Sequence, residues 1–376
     1  MMKGEIYRII SRKISLAAMI LPMMVAFLYM ILSSVWEEAV IDQGEVYQRL
    51  AAIGKDKEIA AEYTGVLTEN VVRDIWEKYG APVNYLERNT GYAYLQGAAM
   101  TGGNDNYTNR LVAKLFAQET LGEDGGNTFI LPQDLSDNIY LRGDFLFGYA
   151  GSGWGYYWDR FLVLSIVVGV VIVVCLSPGF AEDYTQRMAD IILSAAKGRE
   201  KCFFTRILAG GLFATSYYWL VMGILLLETF WFYGTEGLGV SCGLTGMPMT
   251  WSQGQEPLWK ALVMLHLSGW FAITLLSAMV QAISVKCRNT FSAILWSLAI
   301  YFGPNVFCLL ILDQLPMLPV NLWLHQIIYS MPFTYSGMVL NAPGPLRYIL
   351  TAFACIFLVI SLVWGKRGWC RHQVTN

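Results

Sequence analysis

The feature that most constrains this chain is a set of uncharged apolar runs long enough to cross a bilayer, of which Phe161–Leu176, containing VVGVVIVV, is the purest. A helix rises 1.5 Å per residue, so a hydrocarbon layer about 30 Å thick needs about 20 such residues. The run from Ser15 to Trp36 meets that length, and no small-residue cleavage site closes it, so it reads as an uncleaved signal-anchor helix. Composition agrees: 55% of the 376 residues are hydrophobic and only 14% are charged, too little charge to cover a soluble surface of this size.

The chain therefore reads as an all-α integral membrane protein with six transmembrane helices and a mainly helical external insertion. The expected order is a cytoplasmic amphipathic start (1–14), a first span (15–36), an external domain (37–156) and a second span (157–177), ending at the breaker pair Pro178-Gly179. A cytoplasmic segment (178–202) leads to a third span (203–233), which is long enough to begin with an interfacial turn. An external loop (234–257), a fourth span (258–285), a short link (286–290) and a fifth span (291–312) follow. Residues 313–345 are expected to form an external or re-entrant hairpin, because Asn321, His325, Gln326 and Pro332 interrupt its apolar run. The sixth span (346–364) and a tail (365–376) complete the chain.

Charge orients the spans. Lys and Arg outnumber Asp and Glu in the termini, the segment between spans two and three, and the link after span four. Arg12, Lys13, Lys286, Arg288, Lys366, Arg367 and Arg371 lie beside membrane ends. By the positive-inside rule this is a multi-pass protein of the cell membrane with both termini cytoplasmic. Trp36, Tyr156-Tyr157-Trp158, Trp231, Tyr233 and Trp259 then fall where an outer aromatic belt belongs.

Within the insertion, helical patterns are expected over Val46–Val66, at Leu67, Val71, Ile75 and Trp76 up to Tyr79-Gly80, and around Leu111–Phe116. Asn106-Tyr107-Thr108 matches a glycosylation sequon. In the segment after span two, Tyr184, Met188, Ile191, Ile192 and Ala195 recur at helical spacing, and Gly198 can end the helix. That helix has two readings, flat on lipid or an apolar ridge for a partner's groove.

Recognisable enzyme chemistry is absent. There is no HExxH helix, GxGxxG loop or GxxxxGK[ST] phosphate loop, and His266, His325 and His372 share no motif. The seven cysteines are single residues without CxxC spacing, so neither a metal site nor a disulfide framework is signalled. A net charge of −2 excludes bulk attraction to nucleic acid. Glu228, an acid inside the third apolar run, is a candidate intramembrane polar site. Its place just before Trp231 favours a carboxylate reaching headgroup water over an ion-coupling site.

Taken whole, the chain resembles the ABC-2 type permeases of ATP-binding-cassette transporters: a basic amphipathic start, six spans, a large external insertion after span one, and external helices before span six. The most specific local match is Phe180–Ala209, with Glu182, Asp183, the stretch Ile191-Ile192-Leu193-Ser194, Lys197-Gly198-Arg199 and then Arg206. It is similar to the family's segment whose coupling helix docks on the ATPase. The resemblance implies docking roles for Glu182, Asp183, Arg187, Met188, Ile191 and Lys197, and an interfacial helix over Ile6–Lys13, including Ile6, Ile10, Arg12 and Lys13. It further implies a cytoplasmic ABC ATPase subunit carrying ATP and Mg, no cofactor on this chain, and a second permease subunit as a homo- or heterodimer. The function expected is export of a peptide, drug or other amphiphile. A membrane sensor or assembly scaffold, and an ion-coupled secondary transporter using Glu228, are the competing readings.

Overall fold

A computed structural model describes residues 2–84, 90–121, 127–195, 198–245, 254–314, 324 and 344–371. In chain order the helices are α1 (Met2–Ile10), α2 (Lys13–Met30, continued by a π-helical turn Ile31–Val35), α3 (Leu50–Ala61), α4 (Glu69–Tyr79), α5 (Tyr92–Met100), α6 (Tyr107–Phe116) and the single turn α7 (Ser152–Gly155). They continue as α8 (Tyr157–Leu176), α9 (Pro178–Thr185), α10 (Ala189–Ser194), α11 (Glu200–Tyr233), α12 (Leu258–Lys286), α13 (Thr290–Leu310) and α14 (Gly344–Cys370). Two compact units result: residues 1–26, 159–224 and 263–376 form a helical unit, and residues 27–158 and 225–262 form a second one.

Among the described residues, five helices are long and apolar enough to cross a membrane, and six if α1 and α2, bent by 70° at Ser11-Arg12, count as one broken span. The protein is thus a multi-span helical membrane protein. In the helical unit α8 is the central element, with 61% of its apolar window buried, whereas the corresponding window of α14 is 22% buried. Gly169 lets another helix approach α8 closely: a Cβ there would lie 2.1 Å from the Tyr301 hydroxyl, which donates to the Ser165 carbonyl at 3.3 Å.

Two expectations need correction here. The helix containing span two does not stop at Pro178-Gly179: Ser177 stays helical (φ −56°, ψ −35°) and the chain continues through α9. Proline removes one donor and clashes with the preceding turn, but Ser284 of α12 repairs the break. Its hydroxyl accepts from the amides of Phe180 and Ala181, each at 3.0 Å, and donates to the Ser177 carbonyl at 2.6 Å. The interfacial turn expected before span three is likewise absent, because α11 runs unbroken for 34 residues.

Among its described residues the second unit is helical with three two-stranded antiparallel sheets: β1 (Ala39–Asp42) with β2 (Glu45–Gln48), β3 (Gly65–Val66) with β6 (Leu146–Phe147), and β4 (Gln118–Leu121) with β5 (Asn127–Ile130). The helix expected over Val46–Val66 is therefore replaced by a strand, then α3, then a second strand. Gln43 and Gly44 both have positive φ (50° and 84°), which turns the chain tightly and aligns Val40 with Tyr47 and Ile41 with Val46. The predicted helix up to Tyr79 is α4, capped by Thr68 and ended by Gly80 at φ 66°. The predicted helix at Leu111–Phe116 is α6, which begins earlier, at a reciprocal capping box between Asn106 and Asn109. Asn106 is fully buried, so the sequon asparagine serves as a cap and presents no amide to a glycosylating enzyme in the folded unit.

The aromatic belt is only partly an exposed one. Trp36, Tyr156, Trp231 and Trp259 are exposed, but Tyr157 and Tyr233 are fully buried. Of the hairpin expected at 313–345, residues 315–323 and 325–343 lie outside the described residues.

Candidate functional site: the ionic and aromatic joint of the helical unit

Three arginines and three carboxylates converge where α1, α9 and α11 meet. Helix α1 contributes Glu5 and Arg8, and Arg12 follows it at the 70° bend. Arg8 Nη2 lies 2.6 Å from Asp183 Oδ1 and 3.3 Å from Glu182 Oε2, while Arg12 pairs with Glu182 and donates to the Cys175 carbonyl at 3.4 Å. From α11, Arg206 pairs with Asp183, reaches Glu5 at 3.2 Å and donates to the Gly179 carbonyl at 3.2 Å. The Asp183 and Arg206 side chains are 4% and 6% exposed. A pair so desolvated gains little net stability over an apolar one, but removing a single partner strands a buried charge. Its main effect is to fix α1 against α9 and α11.

Beside the charges lies an apolar cluster of Phe180, Ala189, Leu193, Phe203, Val285 and Trp369. Trp369 stands edge-on to Phe180 with ring centroids 5.0 Å apart, and its indole N–H donates to the Gly198 carbonyl at 3.1 Å. The Arg206 guanidinium lies 5.2 Å from the Phe180 ring centre and 5.6 Å from that of Trp369, so the charged and aromatic parts share one interface. Arg199 completes the joint by donating to the Cys370 carbonyl at 2.8 Å, near the end of α14.

The segment read as one amphipathic helix is two helices. Arg187 adopts φ 56°, its amide bonds to the Tyr184 carbonyl at 3.2 Å, and the Met188 amide bonds to the Asp183 carbonyl at 2.8 Å. That is a Schellman ending with arginine in the position where glycine is usual. The chain restarts at Met188, the residue preceding α10. This break turns Ala189 and Leu193 inward and leaves Met188 and Ile191 42% and 63% exposed.

The residues singled out from sequence thus separate. Glu182 and Asp183 face α1 and Arg206 rather than an open surface, which removes Asp183 from any docking face. Arg187, Met188 and Ile191 are exposed, and Lys197 lies outside the described residues. In the amphipathic start Ile6 is half-buried, Ile10 and Lys13 are exposed, and the buried apolar anchor is Ile9. Glu228 is 8% exposed and lies in the part of α11 that belongs to the second unit. Trp154 packs on Phe230 at 5.5 Å, and the Tyr233 hydroxyl donates to Glu38 at 2.9 Å.

Sequence reading missed the pairing of Arg8 and Arg206 with the acids, the roles of Ser284 and Trp369, and a buried acid in the second unit. One signal was present: a charge six residues into an apolar helix, as at Arg206, demands a partner. In the second unit, Asp56 accepts from the Tyr107 amide at 2.7 Å and lies 3.4 Å from Arg110, which also faces Asp105 at 3.6 Å. Burial pushes the Asp56 carboxyl up to about 7; Arg110 and the Tyr107 amide oppose the rise, and Glu38 and Asp105 add to it. Burial also raises Asp105. Among the described residues no group of three or more His, Cys, Asp or Glu side chains is arranged to hold a metal ion.

No family model matches the chain, and neither a curated protein nor a solved structure gives a match.

Proposed function

We propose that this chain is the permease subunit of an ABC exporter of the ABC-2 type. Two permease subunits form the path for a peptide, drug or other amphiphile, and a separate cytoplasmic ATPase holds ATP and Mg²⁺. Both termini face the cytoplasm in this reading, which the basic residues beside the membrane ends support.

The observation that supports it is the pairing of an exposed apolar tip with a braced base. Met188 and Ile191 project from a short helix, while the segment that carries them is tied to α1 by Arg8 and Arg12, to α11 by Arg206, and to α14 by Trp369. A push on that tip is therefore transmitted to three helices together, as a permease driven by a detachable motor requires. The docking face is Met188 and Ile191 with Arg187 at its margin; Glu182 and Asp183 brace it from behind.

The test is recovery of the ATPase with matched amounts of folded permease carrying M188E/I191E. Charging both residues places unpaired carboxylates in the contact, so ATPase recovery and ATP-dependent transport are expected to fall together. Wild-type recovery by the double variant rejects the docking face. Ligand binding without flux, in a preparation that never retains an ATPase, favours the sensor or scaffold reading.

A further inference from the structure

Next to the exposed tip, the helical unit carries a depression of about 360 Å³ lined by Tyr184, Arg187, Asp190, Lys286, Arg288 and Gly368. Three cations face one carboxylate there. Elsewhere in this unit Arg8, Arg12, Arg206 and Lys366 are matched with carboxylates, while Lys13, Lys201 and Arg367 are exposed and line no part of this depression. Arg187, Lys286 and Arg288 form no ion pair among the described residues. We propose that this depression is a binding site for the phosphate of an anionic phospholipid headgroup.

The cations are held by the backbone around them. Arg187 is fixed by the left-handed turn between α9 and α10. Arg288 lies in the short link between α12 and α13, whose start is capped by the Asn289 side chain accepting from the Ser292 amide at 2.7 Å, and its carbonyl accepts from the Thr185 hydroxyl at 3.4 Å. Lys286 lies along α14 beside Gly368: a Cβ there would come 2.9 Å from Lys286 Cε and 3.2 Å from Nζ. Arginine forks and a lysine ammonium match phosphate oxygens in charge and geometry. Helix α13 begins two residues after Arg288 and adds positive potential to the link.

The level of the site favours lipid over a soluble acidic partner. Lys286 ends an apolar 29-residue helix, and its ammonium lies 5.1 Å from the ring centre of Trp364, which is 47% exposed on α14. A tryptophan and a lysine together at the end of a span mark the headgroup layer, where lipid phosphates are concentrated. A lipid there would brace the Arg187 turn and, through it, the orientation of α10. This proposal does not rest on an ATPase docking at Met188 and Ile191.

The experiment reconstitutes the full chain in phosphatidylcholine vesicles containing a minority of phosphatidylglycerol, re-extracts it in detergent and quantifies the retained lipid by mass spectrometry. The wild type is expected to retain phosphatidylglycerol several-fold above its share of the vesicle, and R187Q/K286Q/R288Q to retain it near that share. The charge-matched K13Q/K201Q/R367Q, altered at exposed cations elsewhere, is expected to behave as wild type. If the triple variant does not fold, R288Q and D190N read the same quantity in opposite directions, loss and gain. Equal loss in the charge-matched control overturns the site in favour of diffuse surface charge. Full displacement of the lipid by millimolar inorganic phosphate assigns the site to a soluble anion and overturns the lipid reading. M188E/I191E is expected to retain lipid normally, so failure of the ATPase reading and failure of this one are separate results.

Discussion

The indole N–H of Trp369 donates to the carbonyl of Gly198 at 3.1 Å, joining the last turn of α14 to the end of the α9–α10 segment. Trp369 has no exposed surface, so this single side chain closes both the apolar cluster and the backbone turn that leads into α11. W369A is expected to lower stability by about 3–5 kcal/mol, the usual range for truncating a buried tryptophan. W369F keeps a ring against Phe180 but strands the Gly198 carbonyl, at a smaller cost of about 1–3 kcal/mol. Thermal unfolding in detergent checks the order; equal midpoints for wild type and W369A would refute it.

Asp183 and Arg206 are predicted to be worth more together than either is alone. R206M leaves Asp183 buried beside Arg8 only, and a loss of about 3–5 kcal/mol is expected. Adding D183N removes the stranded charge and should recover part of that loss, giving a coupling on the order of 0.5–3 kcal/mol in a four-protein cycle. Strictly additive effects would show that the pair is not coupled.

Ser284 accepts from two amides at the start of α9, and its removal tests whether the Pro178 break is held from outside. S284A should cost about 1–3 kcal/mol by leaving those buried donors unpaired. Amide exchange at Phe180 and Ala181 should accelerate before that of α12 itself. Unchanged exchange at both amides would assign their protection to the helix alone.

Asp56 predicts a pH dependence of the second unit. Its folded carboxyl is raised from 3.8 to about 7, so the folded state binds more protons than the unfolded one between those values. Stability is therefore greatest below about pH 4, declines as pH rises to about 7, and is flat above that. D56N, which still accepts from the Tyr107 amide, should show a shallower decline. A residual slope of the same sign is expected from Asp105, whose carboxyl burial also raises. Unfolding midpoints measured from pH 4 to 8 for both proteins check this, and parallel curves would exclude Asp56 as the source.

The spans were legible because hydropathy acts over a whole helix and needs no partner. An end set by local chemistry, the Gly80 stop of α4, was legible for the same reason. Features set by distant residues were not. Pro178 signals a break unless Ser284, more than a hundred residues away, supplies the missing contacts. Gln43 and Arg187 take left-handed conformations that their residue types do not advertise. The acids of α9 looked like solvent-facing docking groups because the arginines that bury them come from α1 and from inside α11. Trp369 read as part of a basic tail because an isolated tryptophan among Lys366, Arg367 and Arg371 shows no periodicity.

The position of Trp369 also sets an order of assembly during synthesis. Phe180 and Phe203 emerge long before the tryptophan that covers them; at translation rates of 5–20 residues per second, the wait between Phe203 and Trp369 is roughly 10–30 s. For that time the aromatic face between α9 and α11 lacks its lid, while Glu5, Arg8 and Arg12, made first, are already available to Glu182, Asp183 and Arg206. The ionic contacts can therefore assemble while the polypeptide is still growing, and the apolar seal must follow. A ribosome stalled before Trp369 would hold a nascent protein with its charges matched and its aromatic cluster open to chaperones and proteases.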